Sequence, residues 1–142
     1  MKFILENLIG IVSITILTLN TIILSCLLIP LGLIKFFLPI TNIKVLFTKF
    51  IINIGELWIF TNKIWVKALH KPNWEIIGKE NIKSNGWTIA TSNHQSFADI
   101  FLLQDITNMK MPMLKFFMKY VLIYVPIIGL SWWALDMPFL KR

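Results

Sequence analysis

Residues 7–34 carry no charge, and this 28-residue stretch limits the folds open to a chain of 142 residues more than any other feature. As a helix it is about 42 Å long, at roughly 1.5 Å per residue. A bilayer core is about 30 Å thick and takes roughly 20 apolar residues, so the stretch is long enough to span. Pro30 and Gly32 lie inside it. A proline within a helix removes a backbone hydrogen bond and bends the axis, which leaves a kinked span and a re-entrant helix both open. The bland alternative is a buried core helix. A cleaved leader fits less well, because such apolar cores run to about 7–15 residues and end at small residues. Ile23-Leu24-Ser25-Cys26 loosely resembles a lipoprotein processing site, but the apolar run continues past it. Cys26 is the one cysteine. That excludes an intrachain disulfide and a thiolate metal cluster.

Charge returns after this stretch with one sign. Lys35, Lys44, Lys49, Lys63, Lys67 and Lys71 follow, against Glu56 alone. Lysine excess beside an apolar segment marks the cytoplasmic side. The whole chain has a net charge of +7 and is 56% hydrophobic. A basic excess fits nucleic acid or anionic lipid. The apolar content favours lipid, and no nucleic-acid-binding motif accompanies the lysines. Residues 50–69 read as a second helix. Lys49, Asn53, Glu56, Lys63 and Lys67 recur at intervals of four, three, seven and four, which makes one polar stripe. Ile52, Trp58, Ile59, Trp65, Val66 and Leu69 fill much of the remainder. Such a helix suits the headgroup region of a membrane, and an ordinary helix against a soluble core is the alternative. Gly55 costs the helix about 1 kcal/mol relative to alanine, and the sequence offers no reason for it.

The composition shifts at His70-Lys71-Pro72-Asn73, a helix-ending signal. The expected division is therefore 1–70, anchor and interfacial helices, and 71–142, a separate domain. Residues 74–77 read as a short strand. Ser84-Asn85-Gly86 is a turn signal, and residues 87–92 read as a second strand. Phe97, Ile100 and Phe101 then recur at helical spacing. Residues 113–118 fit a strand or a short helix, and residues 123–133 are apolar but broken by Pro126 and Gly129. Strand, turn, helix and further strand is the rhythm of an α/β domain.

The chemistry concentrates where that helix begins, in Ser92-Asn93-His94-Gln95-Ser96-Phe97-Ala98-Asp99. A histidine titrates near pH 6.5 and suits a general base at neutral pH. A carboxylate on its second ring nitrogen fixes the tautomer and stabilises the imidazolium. His94 falls in the turn and Asp99 in the first helical turn, so the spacing permits contact. It fits poorly with two metal ligands on one helix face, which are separated by three or four residues. No covalent nucleophile stands out, which favours direct transfer from an activated donor such as a thioester. The plainer reading makes Ser96-x-x-Asp99 a capping box and Asp99 a structural residue.

This block resembles the first signature block of the lysophospholipid acyltransferase family, the 1-acylglycerol-3-phosphate acyltransferases and their relatives. Leu114-Lys115-Phe116-Phe117-Met118-Lys119 and the run from Val125 through Pro126, Gly129, Trp132, Trp133 and Asp136 to Arg142 are similar to the stretch leading into the second block. The likeness is nearest to a bacterial inner-membrane branch related to lysocardiolipin acyltransferases, and it extends over the anchor. It implies an α/β glycerolipid-acyltransferase domain that moves an acyl group from acyl-CoA or acyl carrier protein to the free hydroxyl of a lysophospholipid. It implies His94 as base with Asp99 as its partner, and Asn93, Gln95, Ser96 and Arg142 in contact with substrate. Arg142 falls where the family holds the acceptor phosphate. No metal or resident cofactor is implied, no nucleic acid, and a site on the cytoplasmic side of the inner membrane. The family's third block, of Glu-Gly-Thr-Arg type, and its proline-rich fourth block do not occur in the 142 residues. The expectation is an incomplete α/β domain, the N-terminal part of a longer enzyme, with an open site and exposed apolar surface near residue 142. The alternative is an inactive remnant that binds membrane or lipid.

Overall fold

The computed structural model describes residues 2–82, 86, 88–93 and 95–141, and for Lys2, Lys79 and Phe97 the backbone alone. The uncharged stretch forms one helix, α1, Lys2–Phe37, which continues through Pro30. Its apolar part, Phe3–Phe37, is long and apolar enough to cross a membrane, with 22% of its most apolar window buried inside the protein. A three-residue turn at 38–40 leads into α2, Thr41–His70. This second helix starts nine residues earlier than the polar stripe suggested. It ends where the sequence predicted, with Lys71 in the left-handed region (φ 43°) ahead of Pro72.

The two helices form an antiparallel hairpin with a polar seam. Asn20 Nδ2 donates to Asn62 Oδ1 at 2.9 Å, and Thr61 Oγ1 donates to Asn20 Oδ1 at 3.1 Å. Trp65 Nε1 donates to the same Asn62 oxygen at 3.1 Å. Nearer the open end, Ser13 Oγ and His70 Nε2 are 2.8 Å apart. Each of these groups buries polarity that is costly without a partner, so the seam fixes the register of the hairpin.

The described part of residues 71–142 is mostly helical. It holds a 3-10 turn at Lys79–Asn81, α3 (Phe97–Thr107), β1 (Met118–Lys119), a 3-10 segment at Tyr120–Tyr124, α4 (Ile128–Ala134) and β2 (Phe139–Leu140). β1 and β2 pair in parallel, Met118 with Phe139 and Lys119 with Leu140. Parallel strands need a crossover, and the stretch that carries α4 supplies it. The expected α/β sheet reaches no further among the described residues. The strand expected at 74–77 is irregular chain, with Ile77 88% exposed. Residues 88–92 of the second expected strand are irregular too, and Trp87 lies outside the described residues, as do Ser84 and Asn85 of the turn. Apolar side chains favour a strand only where a neighbouring strand takes their backbone groups, and among the described residues none does.

The core joins the hairpin to the C-terminal unit. Leu28 of α1, Ile51 of α2, and Leu135 and Met137 after α4 form one buried cluster. Trp58, Met113, Phe116 and Trp132 pack around it. Gly55 now has its reason. A Cβ there would lie 2.8 Å from Leu135 Cδ2 and from Met113 Sδ. Gly32 does the same for α1 against α4, where a Cβ would lie 2.5 Å from that of Ala134. Beside it, Ser131 Oγ donates to Ser25 Oγ at 2.8 Å, with both serines fully buried. α4 ends in a Schellman motif, with Met137 N–H on Trp132 O and Asp136 N–H on Trp133 O, each 3.0 Å. Asp136 takes the left-handed position (φ 55°) that glycine usually fills. Lys35 secures it, donating to Asp136 Oδ1 at 2.7 Å and to Ala134 O at 3.0 Å. Lys115 Nζ donates to Leu135 O. Two cations on the carbonyl end of one short helix complement its dipole.

Candidate functional site

α3 starts where the capping pattern put it. Ser96 is the extended N-cap residue, at φ −148° and ψ 162°. Asp99 turns back from the first helical turn, and its Oδ2 accepts from the backbone N–H of Gln95 at 2.7 Å and of Ser96 at 2.8 Å. This is the return half of a capping box, extended by one residue into the loop. Two charge-assisted bonds to one oxygen hold the backbone on either side of Gln95. Residue 94 is thereby covalently adjacent to an atom pinned on Asp99. His94 itself lies outside the described residues, and so does Arg142. Asn93, Gln95 and Ser96 are exposed and Asp99 is half-buried.

A second carboxylate, which the sequence reading passed over, docks α3 on the hairpin. Asp105 lies six residues beyond Asp99, and its two oxygens meet Lys63 Nζ at 2.5 Å and Lys67 Nζ at 3.2 Å. Burial pushes Asp105 up, but the hydrogen bonds and charges of Lys63 and Lys67 outweigh it and hold the carboxyl below its usual range. Phe101 meets the edge of Trp65, ring centres 6.2 Å apart. So Lys63 and Lys67 of the stripe, and Trp58 and Trp65 of α2, serve contacts inside the protein. The available signal was the Lys63/Lys67 spacing of one helical turn, which favours a shared acidic partner.

Two shallow concavities meet at Glu56. One, of about 310 Å³, is lined by Asn53, Glu56, Leu57, Phe60 and Met109. The other, of about 400 Å³, is lined by Glu56, Met109, Lys110, Met111 and Pro112. Neither touches Asp99. Near the chain's end the burial of Lys115 lowers its pKa, Asp136 opposes that, and Lys35 adds to it.

Residues 73–142 match the family model described as Acyltransferase. The matched segment contains the whole Ser92–Asp99 block, α3, and the β1–α4–β2 unit. The match supports the acyltransferase family broadly and acyl transfer as the class of chemistry. No curated protein and no solved structure matches the chain.

Proposed function

We propose that this acyltransferase segment moves a fatty acyl group from an acyl thioester, acyl-CoA or acyl carrier protein, to the free hydroxyl of a lysophospholipid such as 1-acylglycerol-3-phosphate. The observation that carries the reading is the family match over a segment in which Asp99 grips the chain next to His94. In this reading His94 takes the hydroxyl proton as the oxygen attacks the thioester carbonyl, and the thiol leaves. Asp99 orients the imidazole and stabilises its charged form. Asn93, Gln95 and Ser96 line the approach of substrate, and Arg142 meets the acceptor phosphate with its bidentate fork. General-base help of this kind contributes typically about 10²–10⁴-fold. Holding both lipids at one interface adds proximity.

The hairpin is the membrane anchor, on the cytoplasmic face of the inner membrane, and it lies along the interface instead of crossing. The register supports this. Asn62 stands opposite Asn20 and His70 opposite Ser13, so Lys63 and Lys67 flank residues 13–20 of α1. Glu56 flanks α1 nearer the turn. A perpendicular α1 would carry these charges and Asp105 into hydrocarbon, at about 2.5–3.5 kcal/mol for each unpaired one. Lying flat leaves them in the headgroups.

The test is acyl transfer from radiolabelled acyl-CoA to lysophosphatidic acid. It is run on membranes carrying this chain, and on membranes carrying a version extended through a Glu-Gly-Thr-Arg block. The reading expects product that disappears in His94→Ala. Product in neither preparation, or product indifferent to His94, defeats it.

A further inference from the structure

Within the family-matched segment, α4 is built against the apolar part of α1. Ser131 bonds Ser25, which lies ten residues before Lys35, about 15 Å further along the helix at roughly 1.5 Å per residue and well inside its charge-free stretch. The neighbours of Ser25 on α1, Cys26 and Leu27, are exposed. Packed helices are about 8–10 Å apart, so α4 lies within about one helix diameter of the charge-free part of α1.

What projects there is apolar and regular. Val121, Tyr124, Ile127 and Leu130 recur every third residue and are 64%, 71%, 43% and 45% exposed. Val121 and Tyr124 share one face of the Tyr120–Tyr124 3-10 segment, which has about three residues per turn. Gly129 locks this segment onto α4, since a Cβ there would lie 2.3 Å from Ile123 O. The turn between them is strained. Ile127 has φ 65° and ψ −58°, closed by an Ile128 N–H bond to Pro126 O at 2.6 Å. A β-branched residue there costs about 1–3 kcal/mol and persists only where the surroundings impose it. The strain holds an isoleucine outward. The rim is basic and aromatic, with Lys141 Nζ 4.8 Å over the Tyr120 ring and Tyr120 edge-on to Tyr124.

We propose that the Val121–Tyr124–Ile127–Leu130 ridge is a second membrane contact, seated in the acyl–headgroup boundary of an anionic bilayer beside α1. The proposal rests on the anchor reading above, and adds to it that the acyltransferase segment itself enters the lipid. Its occupant is the bilayer because the ridge runs into α4, which packs against the charge-free part of α1 at Ser25 and Gly32, its tyrosines suit the headgroup level, and its lysine matches anionic lipid.

Single cysteines placed at Val121 and, separately, Tyr124 in a Cys26→Ser background carry an environment-sensitive fluorophore. The proteins are reconstituted in phosphatidylcholine–phosphatidylglycerol vesicles with or without bromine on the acyl chains. A cysteine at Leu33 reports the anchor, and one at Ile77 reports water. Expected at both ridge positions are quenching by brominated lipid and iodide quenching several-fold weaker than at Ile77. Accessibility to iodide without lipid quenching overturns the proposal, and so does shielding from both quenchers, which would mean that protein covers the ridge. Lipid quenching at Leu33 but not at the ridge defeats this inference alone. Its absence at Leu33 as well defeats the anchor reading with it.

Discussion

Asp99 has one duty in this structure and a second in the proposed mechanism, and they can be separated. Its carboxylate caps α3 through Gln95 and Ser96 N–H, a structural duty. Orienting His94 is the duty the proposed mechanism adds. Asp99→Asn keeps the size and an acceptor oxygen but removes the charge. Loss of the cap alone costs about 0.5–2 kcal/mol of stability and leaves activity per folded molecule nearly unchanged. The proposed mechanism expects a fall in rate far larger than that stability loss explains. Thermal unfolding and acyl transfer measured on one active preparation decide between them. Asp105 is a contrasting carboxylate with a pairing duty. Its pKa is lowered in the folded protein, so its contribution is fully present above the ordinary carboxylate range near 3.8 and is lost as pH falls through the lower folded value. Stability against pH should therefore drop less steeply below about pH 4 in Asp105→Asn than in the parent, with about 1 kcal/mol already lost at pH 7. Equal slopes for the two proteins would show that the Lys63/Lys67 contact contributes nothing.

At the scale of elements, two glycines let helices touch, and their neighbours differ in compliance. At Gly32 an added Cβ meets Ala134 Cβ at 2.5 Å and Cα at 3.1 Å, neither of which can move without shifting α4. At Gly55 it meets the ends of the Leu135 and Met113 side chains, which can rotate away. Alanine gains about 1 kcal/mol of helix propensity at either position, while overpacking costs about 1–3 kcal/mol. Gly32→Ala should therefore destabilise the protein and Gly55→Ala should leave it unchanged or slightly more stable, read as melting temperatures in one detergent. The reverse order would mean that α1 and α4 are not in contact in solution. The same reasoning explains α3. Its N-terminal cap is local, but its position against α2 comes from Asp105 and Phe101, which reach Lys63, Lys67 and Trp65 more than thirty residues earlier.

For the whole molecule, the hairpin is part of the fold of the family-matched segment. Leu28, Ser25 and Gly32 of α1 cover Leu135, Ser131 and Ala134. Burying aliphatic side chains contributes roughly 1.5–3 kcal/mol each, a large share of a domain's margin of about 5–15 kcal/mol. Deleting residues 2–37 should yield aggregated or molten protein, not a soluble domain, as judged by gel filtration and near-ultraviolet dichroism. Intact protein should stay in the pellet after carbonate washing. A monodisperse, folded deletion variant would mean that α1 is only a tether.

Signals carried by neighbours within one helical turn were legible in the sequence. The charge-free length made α1, because a backbone in an apolar setting must satisfy its own hydrogen bonds. Lys71-Pro72 ended α2, and Ser96-x-x-Asp99 began α3, through contacts spanning three or four residues. The tertiary structure alone decided what depends on distant partners. It left residues 74–77 outside any sheet while giving Met118 and Phe139 a shared ladder. It turned the lysine stripe toward Asp105, brought Met113 and Leu135 to Gly55, and let Asp136 take a left-handed turn under Lys35. The reason is reach. A cap or a helix end is settled by atoms a few bonds away, whereas a strand, an ion pair or a close helix crossing is worth its desolvation only once the fold has brought the other half to it.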